Sequence, residues 1–208
     1  LGFAGPNADA ILRAQLGVAP EANDGCINKN GVTVLRLPST VPRFQVIADC
    51  LNAEKLWRDT ADSVTPVGVS PWSWLDIIAG VPTIYPSTCE AFLPQTVNLD
   101  LLGGVSFEKG CYSGQEIIAR LHYLGGPKQR MYRAHVRAAQ TPAPGDPIYA
   151  PDPRDRSVGT VVDARPSTEQ GHDILAAINV VDVAAGSLSL RSRGESALTI
   201  MPLPYTLA

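Results

Sequence analysis

The segment FEKGCYSGQEIIARL, residues 107–121, carries the residue types in this sequence that are best suited to chemistry. Cys111 follows Lys109 by two residues and precedes Ser113 by two residues. A nearby ammonium group and the start of a helix both favour the thiolate over the thiol, and the thiolate is the nucleophilic, metal-binding form. The spacing therefore predicts a reactive thiol at Cys111, held as thiolate by Lys109. The alternative is an inert loop cysteine, because most free cysteines are buried and unreactive.

The helix that must position this thiol is predicted from the residues that follow it. Ser113 and Glu116 have the S-x-x-E spacing of a capping box, which predicts that a helix begins at Ser113. We expect the helix to end near Tyr123, because the next residues include the pair Gly125-Gly126. In this arrangement Cys111 lies at the helix N-terminus.

Charge is distributed unevenly along the chain, whose formal net charge is −3. The segment from Glu108 to Arg137 contains six basic and two acidic residues. Such a segment is either a solvated helix and strand edge or a site for an anionic ligand. The negative charge of the whole chain argues against non-specific binding of nucleic acid.

Composition and cysteine spacing narrow the classes of protein further. With 208 residues and 45% hydrophobic content, the chain can form a real core. The four cysteines form no C-x-x-C pair, which argues against a zinc ribbon and a thioredoxin-type motif and favours reduced thiols in a cytosolic compartment. We predict no metal site. No apolar run approaches the roughly 18 residues of a membrane span, and the first residues lack the basic region of a signal peptide.

Residues 1–66 are predicted to form a small α/β unit in the order β-α-β-β-β-α-β, close to the ferredoxin-like arrangement. The dipeptide Asn30-Gly31 supplies the two positive-φ positions of a type I′ turn between two strands. Asn52 is predicted to cap the second helix, and the stretch SVTPV is expected to be the closing strand.

The remainder of the chain contains two regions with different predicted structures. Residues 67–127 contain a short helical stretch, PWSWLDIIAG, and then a long irregular run, which is more often functional than decorative in a compact protein. Residues 128–208 contain short alternating segments separated by turn residues, which indicates a small β-barrel or sandwich. The chain is therefore predicted to belong to the α+β fold class.

The run KGCYSGQEIIAR, from Lys109 to Arg120, resembles the signature K-G-C-Y-[ST]-G-Q-E-x-x-x-R of the YgfZ family. The members of this family are folate-binding-like relatives of the glycine-cleavage T-protein, an aminomethyltransferase, and are linked to iron–sulfur proteins. The stretch LPQTVNLDLLGGVSFEKGC resembles the family's approach to the signature, and PLPYTLA resembles its C-terminal ending. The resemblance covers most of the chain.

This resemblance implies three domains. Residues 1–66 correspond to the ferredoxin-like middle domain, residues 67–127 to the returning half of the folate-binding-like domain, and residues 128–208 to a C-terminal small β-barrel. Because the family assembles its first domain from two separated chain segments, we expect the opening half to lie upstream of Leu1. The implied location is the bacterial cytoplasm, or the mitochondrial matrix in a eukaryote.

The resemblance also implies a ligand, tetrahydrofolate or a folate derivative. Arg120, with Lys128 and Arg130, would face an anion such as a glutamyl tail. The family helix typically carries a glutamate directly before its Ala-Gly, where this chain has Ile78, so a charge-assisted contact to a pterin worth roughly 1.5–3 kcal/mol is lost. We therefore expect this chain alone to bind tetrahydrofolate weakly. The implied ligand-binding and loop-orienting residues are Tyr112, Gln115, Glu116 and Arg120.

The function implied by the resemblance is that of an accessory protein for assembly or repair of iron–sulfur enzymes, with a thiol at Cys111. Its expected partners are a folate-type small molecule and iron–sulfur client or assembly proteins, without membrane association or direct nucleic-acid binding. Two alternatives remain open: a folate-dependent aminomethyltransferase of the T-protein type, and a non-catalytic protein-binding scaffold. The cysteine motif and Ile78 argue against the transferase, which needs no such cysteine.

Overall fold

The computed structural model describes residues 1–151, 156–192 and 196–207. The chain forms two compact units, Leu1–Leu75 and Asp76–Ala208. Each unit combines helices with an antiparallel sheet, so the predicted α+β class is confirmed. The predicted three-domain division, with boundaries near residues 66 and 127, stays a prediction. Within the described ranges, no helix combines the length and the apolar character needed to cross a membrane.

The first unit is a four-stranded antiparallel sheet with two helices packed on one face. In chain order its elements are β1 (Gly2–Ala4), α1 (Ala8–Leu16), β2 (Cys26–Lys29), β3 (Val32–Arg36), β4 (Arg43–Ile47) and α2 (Cys50–Thr60). The strands lie in the order β1-β4-β3-β2. Alternate strand residues point to the helices, and with Leu12 and Leu56 they form the core, which includes Phe3, Val32, Val34, Phe44 and Val46.

Turn and cap residues account for the local geometry of this unit. Asn30 and Gly31 have φ angles of 52° and 79°, so the predicted type I′ turn between β2 and β3 is confirmed. The predicted Asn52 cap is wrong. Helix α2 begins two residues earlier, at Cys50, because the carboxylate of Asp49 accepts a hydrogen bond from the Asn52 backbone N–H at 2.8 Å.

The predicted closing strand at residues 63–67 does not form. This stretch is irregular and largely exposed, and Pro66 has no N–H to donate to a strand ladder. The sheet therefore has four strands. The chain continues instead into the predicted helix PWSWLDIIAG, which is observed as α3 (Val69–Ala79).

The second unit is built on a six-stranded antiparallel sheet in the order β10-β5-β8-β7-β6-β9. A bridge between Ser189 and Ala197 brings the two edge strands together, so the sheet curls into a half-barrel. Its inner face is lined by small and β-branched residues such as Ile148, Ile174 and Ile178. The elements are β5 (Gln129–Val136), β6 (Pro147–Tyr149), β7 (Ser157–Pro166), β8 (His172–Asn179), α5 (Val180–Ala185), β9 (Ser189–Leu190) and β10 (Leu198–Met201).

The outer face of this sheet is also buried. Met131, Val162 and Leu175 project from it and pack against Ile77 of α3 and Val97 of the irregular run. Both faces of β7 and β8 are therefore covered, which explains their nearly continuous apolar sequences. The irregular run is thus a second layer of the unit rather than a surface loop.

We expect the unfolding free energy to fall as the pH drops below about 6.5, the pKa of an unperturbed histidine. Burial lowers the pKa of His172, and the positive charge of His135 lowers it further. Because the unfolded chain binds this proton more readily than the folded one, acid favours unfolding. Urea unfolding at pH 7.5, 6.5 and 5.5 measures the loss. His172→Gln should flatten this dependence, and an unchanged slope in the variant would contradict the assignment.

Candidate functional site

The cysteine motif occupies an exposed loop that leads into α4 (Gln115–Tyr123). The predicted capping box of Ser113 and Glu116 is wrong. Gly114 is the N-cap, with φ 85°, and no side chain caps the helix. The left-handed turn at Gly114 separates Ser113 from the helix, so its hydroxyl does not reach the free N–H groups.

Cys111 lies three residues before this N-cap and is exposed. Gln115 closes the loop behind it: its backbone N–H donates to the Tyr112 carbonyl at 3.2 Å, and its Oε1 accepts from the Tyr112 N–H at 3.4 Å. These bonds tie Gln115 to the loop, and its roles in orienting the loop and binding a ligand stay predictions. Lys109 and Glu116 are exposed, and Glu116 lies in the first turn, where a negative charge is favourable.

The other end of the loop is held by aromatic stacking. Phe107 stacks on His122, with ring centroids 3.8 Å apart and planes inclined by 18°, and Tyr123 meets both rings edge-on. The loop thus runs along α4 from its C-terminal end to its N-terminal end, with Cys111 near the latter. The sequence analysis did not predict this contact between Phe107 and His122.

Helix α4 has little apolar burial of its own, since Ile118 is its one buried residue. Gln95, in a 3₁₀ turn at Pro94–Val97, is 1% exposed and donates from Nε2 to the Ile118 carbonyl at 2.6 Å. Sequence reasoning missed Gln95. The available signal was a glutamine directly after a proline inside the apolar stretch LPQTVNLD.

Arg130 connects the same turn to the sheet. Its Nη1 donates to Asp100 Oδ1 at 2.7 Å and to the Gln95 carbonyl at 2.9 Å. The predicted role of Arg130 beside Arg120, facing an anionic ligand, is wrong. The guanidinium is buried and already paired with the carboxylate of Asp100.

Asn98 completes the attachment of the irregular run to β5. Its Nδ2 donates to the Met131 carbonyl at 2.7 Å, and its Oδ1 accepts from the Met131 N–H at 3.2 Å. Tyr205 lies against the same amide and donates its hydroxyl to the Gly80 carbonyl at 2.7 Å. These bonds satisfy backbone groups that the irregular run would otherwise bury unpaired.

A second polar group joins residues 81–92 to β7. Tyr85 donates its hydroxyl to Asp163 Oδ2 at 3.0 Å, and Arg165 lies 3.3 Å from Asp163 Oδ1. Burial raises the pKa of Asp163, and the positive charge of Arg165 opposes that shift. The three side chains satisfy one another, which is the pattern of a structural contact.

Arg120 on α4 and Lys128 after this helix are exposed cations. Within the described ranges, Arg120 forms no ion pair with Glu116 or any other carboxylate. Ile78 is half-buried on α3 and offers no hydrogen-bond acceptor. The cations Arg120 and Lys128 suit an anionic group, whereas Ile78 does not suit a pterin ring. The same ranges contain no cluster of three or more His, Cys, Asp or Glu side chains able to hold a metal ion.

Comparison with known proteins places the motif in a family. The tRNA-modifying protein YgfZ of Yersinia enterocolitica is 35% identical over 209 residues, covering 100% of this chain. Its counterpart in Pectobacterium carotovorum is 32% identical over 208 residues. The resemblance to the YgfZ family is confirmed. This YgfZ-like chain spans 63% and 62% of the length of these two relatives. No protein-family profile matches the chain.

The fold comparison agrees with the sequence comparison. The glycine cleavage system aminomethyltransferase T from Bartonella henselae superposes with a TM-score of 0.61, covering 98% of this chain and 58% of the transferase. Sequence identity is 19%, so this likeness concerns the fold. The YgfZ-like chain therefore has a T-protein-like fold, as its signature implied.

Arg130→Gln should lower the unfolding free energy of this chain by about 3–5 kcal/mol, because it leaves the buried Asp100 carboxylate without its partner. Urea denaturation followed by circular dichroism measures the change. Lys128→Gln is the matched control: it removes an exposed cation two residues away and should cost less than about 0.5 kcal/mol. Equal costs for the two variants would show that the buried pair does not stabilise the unit.

Proposed function

We propose that this YgfZ-like chain acts as an accessory protein for the assembly or repair of iron–sulfur enzymes, with Cys111 as its chemical group. The relatives are named tRNA-modifying proteins, so we further propose that the enzymes served include one that modifies tRNA. The observation that carries the proposal is an exposed, unbonded thiol in a loop fixed at both ends along a helix.

The position of Cys111 supports its use as a nucleophile or as a transient ligand for a substrate metal or cluster. The loop exposes it to solvent three residues before the N-cap of α4. Cys26, Cys50 and Cys89 are exposed as well, so access alone does not distinguish Cys111. We propose that Cys111 is set apart by the neighbouring Lys109 and by a loop that Gln115 and Phe107 hold along α4.

Arg120 is proposed to bind an anionic group of the ligand or partner. It is exposed on α4, and a guanidinium clamps a carboxylate or phosphate with two parallel hydrogen bonds. A folate glutamyl tail has this chemistry, with Tyr112, Gln115 and Glu116 shaping the adjacent loop. Ile78 cannot accept hydrogen bonds from a pterin, so we propose no chemical step through folate and expect weak binding by this chain.

A folate-dependent aminomethyltransferase is the second candidate, favoured by the T-protein-like fold. That reaction requires no thiol, and it would proceed equally with serine at position 111. Turnover with an aminomethyl-lipoyl donor and tetrahydrofolate therefore separates the two candidates. A pure scaffold, the third possibility, would support its partner equally well without the thiol.

Cys111 should be alkylated faster than the other three cysteines at neutral pH, because the cation Lys109 lies two residues away and attracts the negative charge that develops on sulfur. Brief iodoacetamide treatment followed by peptide mass spectrometry measures the four rates. Since all four side chains are exposed, Cys26, Cys50 and Cys89 serve as internal controls. Cys111→Ser should also abolish growth rescue in a cell that lacks its own family member, whereas Cys89→Ser should rescue. Rescue by Cys111→Ser would remove the thiol from the function.

Arg120→Gln should leave the unfolding free energy within about 0.5 kcal/mol of the parent, because the side chain is exposed. It should nevertheless abolish growth rescue, since the anion contact is lost. Arg58→Gln is the matched control, an exposed arginine on α2 that should affect neither property. A drop of several degrees in melting temperature for Arg120→Gln would instead identify a structural residue.

A further inference from the structure

Helix α4 is held to its unit by a small number of contacts. It has nine residues, shorter than the roughly 12–15 that an isolated helix needs for stability in water. Its exposed side chains include Ile117 and Tyr123, at 56% and 68% exposure, and Ile118 alone is buried. Apolar packing therefore fixes the rotation of α4 about its axis only weakly.

The bond from Gln95 to the Ile118 carbonyl supplies the missing constraint. At 2.6 Å it enters the middle of the helix from a side chain that is 1% exposed. Gln95 is itself fixed, because its backbone carbonyl accepts from Arg130, whose guanidinium is paired with Asp100. A rigid donor aimed at one mid-helix carbonyl sets both the rotation and the axial position of the helix.

The position of α4 determines the position of the loop that carries Cys111. Gln115 opens the helix and binds Tyr112, the residue after Cys111, through two hydrogen bonds. His122 holds the start of the loop by stacking on Phe107. A rotation of α4 therefore moves both attachment points of the loop together, and Cys111 with them.

We propose that Gln95 is the positioning residue of the Cys111 thiol, acting through α4. This inference rests on the proposed function in one respect: that function is the reason why the position of Cys111 matters. The contacts that link Arg130, Gln95 and Ile118 to the loop do not depend on that function.

Gln95→Met tests the proposal, since methionine keeps the length and shape of glutamine and removes the donor. Backbone amide exchange of α4, measured by hydrogen–deuterium mass spectrometry, should accelerate by about tenfold, the effect of losing one buried hydrogen bond. The alkylation rate of Cys111 relative to Cys89, an exposed cysteine of the same unit, should fall by at least about threefold. Both measurements are made at a temperature and pH at which the variant is fully folded.

Ile148→Val is the control, because it weakens the half-barrel core of the same unit without touching α4. It should leave the exchange of α4 and the alkylation ratio unchanged. The proposal is overturned if Gln95→Met leaves either quantity at its original value, or if Ile148→Val shifts both equally. Neither measurement uses biological activity, so this failure is distinct from rescue by Cys111→Ser, which would overturn the proposed function alone.

Discussion

The buried ion pair between Arg130 and Asp100 is the interaction on which the second unit depends. The two side chains are 7% and 10% exposed, and the same guanidinium nitrogen also binds the Gln95 carbonyl. Burying two charges is costly unless each is paired and hydrogen-bonded. Once paired, they fix an irregular stretch that has no strand or long helix to order it. The cysteine motif is therefore presented by a segment whose own order comes from a polar contact with the sheet.

The irregular run shows how a protein buries non-repetitive backbone. Side chains tie it to its surroundings: Arg130 of β5 donates to the Gln95 carbonyl of the run, and Asn98 of the run bonds both backbone groups of Met131 in β5. Apolar residues such as Val97 fill the spaces between these bonds. The result is a rigid layer on the outer face of the half-barrel, and rigidity is what a site needs from its support.

The T-protein-like fold and the YgfZ signature carry different information. A shared fold at 19% identity hosts more than one chemistry. The features that bear on function are local: an exposed thiol, a glycine-flanked loop, and the uncompensated cation Arg120 among the described residues. The half-buried Ile78 has no polar atom to offer a pterin. These local features, rather than the shared fold, are the basis for proposing thiol chemistry at Cys111.

Much of the local structure could be predicted from the sequence because it depends on neighbours in the chain. The Asn30-Gly31 turn, α1, α3 and the strands of the half-barrel follow from φ preferences and from the spacing of apolar residues. The long specific run KGCYSGQEIIAR identified the family in the same way. Helix starts were less secure, since Asp49 and Gly114 took the cap positions predicted for Asn52 and Ser113. A shift of a cap by one residue, as at Gly114, or by three, as at Asp49, leaves the apolar pattern almost unchanged.

The sequence by itself determined the fold class and the resemblance to the YgfZ family, and it predicted Cys111 as the residue best suited to chemistry. Only the tertiary structure decided which cations are available to a ligand. Arg120 and Arg130 look alike as residues of one basic segment, yet one is exposed and the other is paired with Asp100, thirty positions away. It also decided that Gln95 holds the motif helix, through a bond that spans 23 positions. Such contacts depend on how segments far apart in the chain pack together, so the spacing of residues within one segment does not predict them.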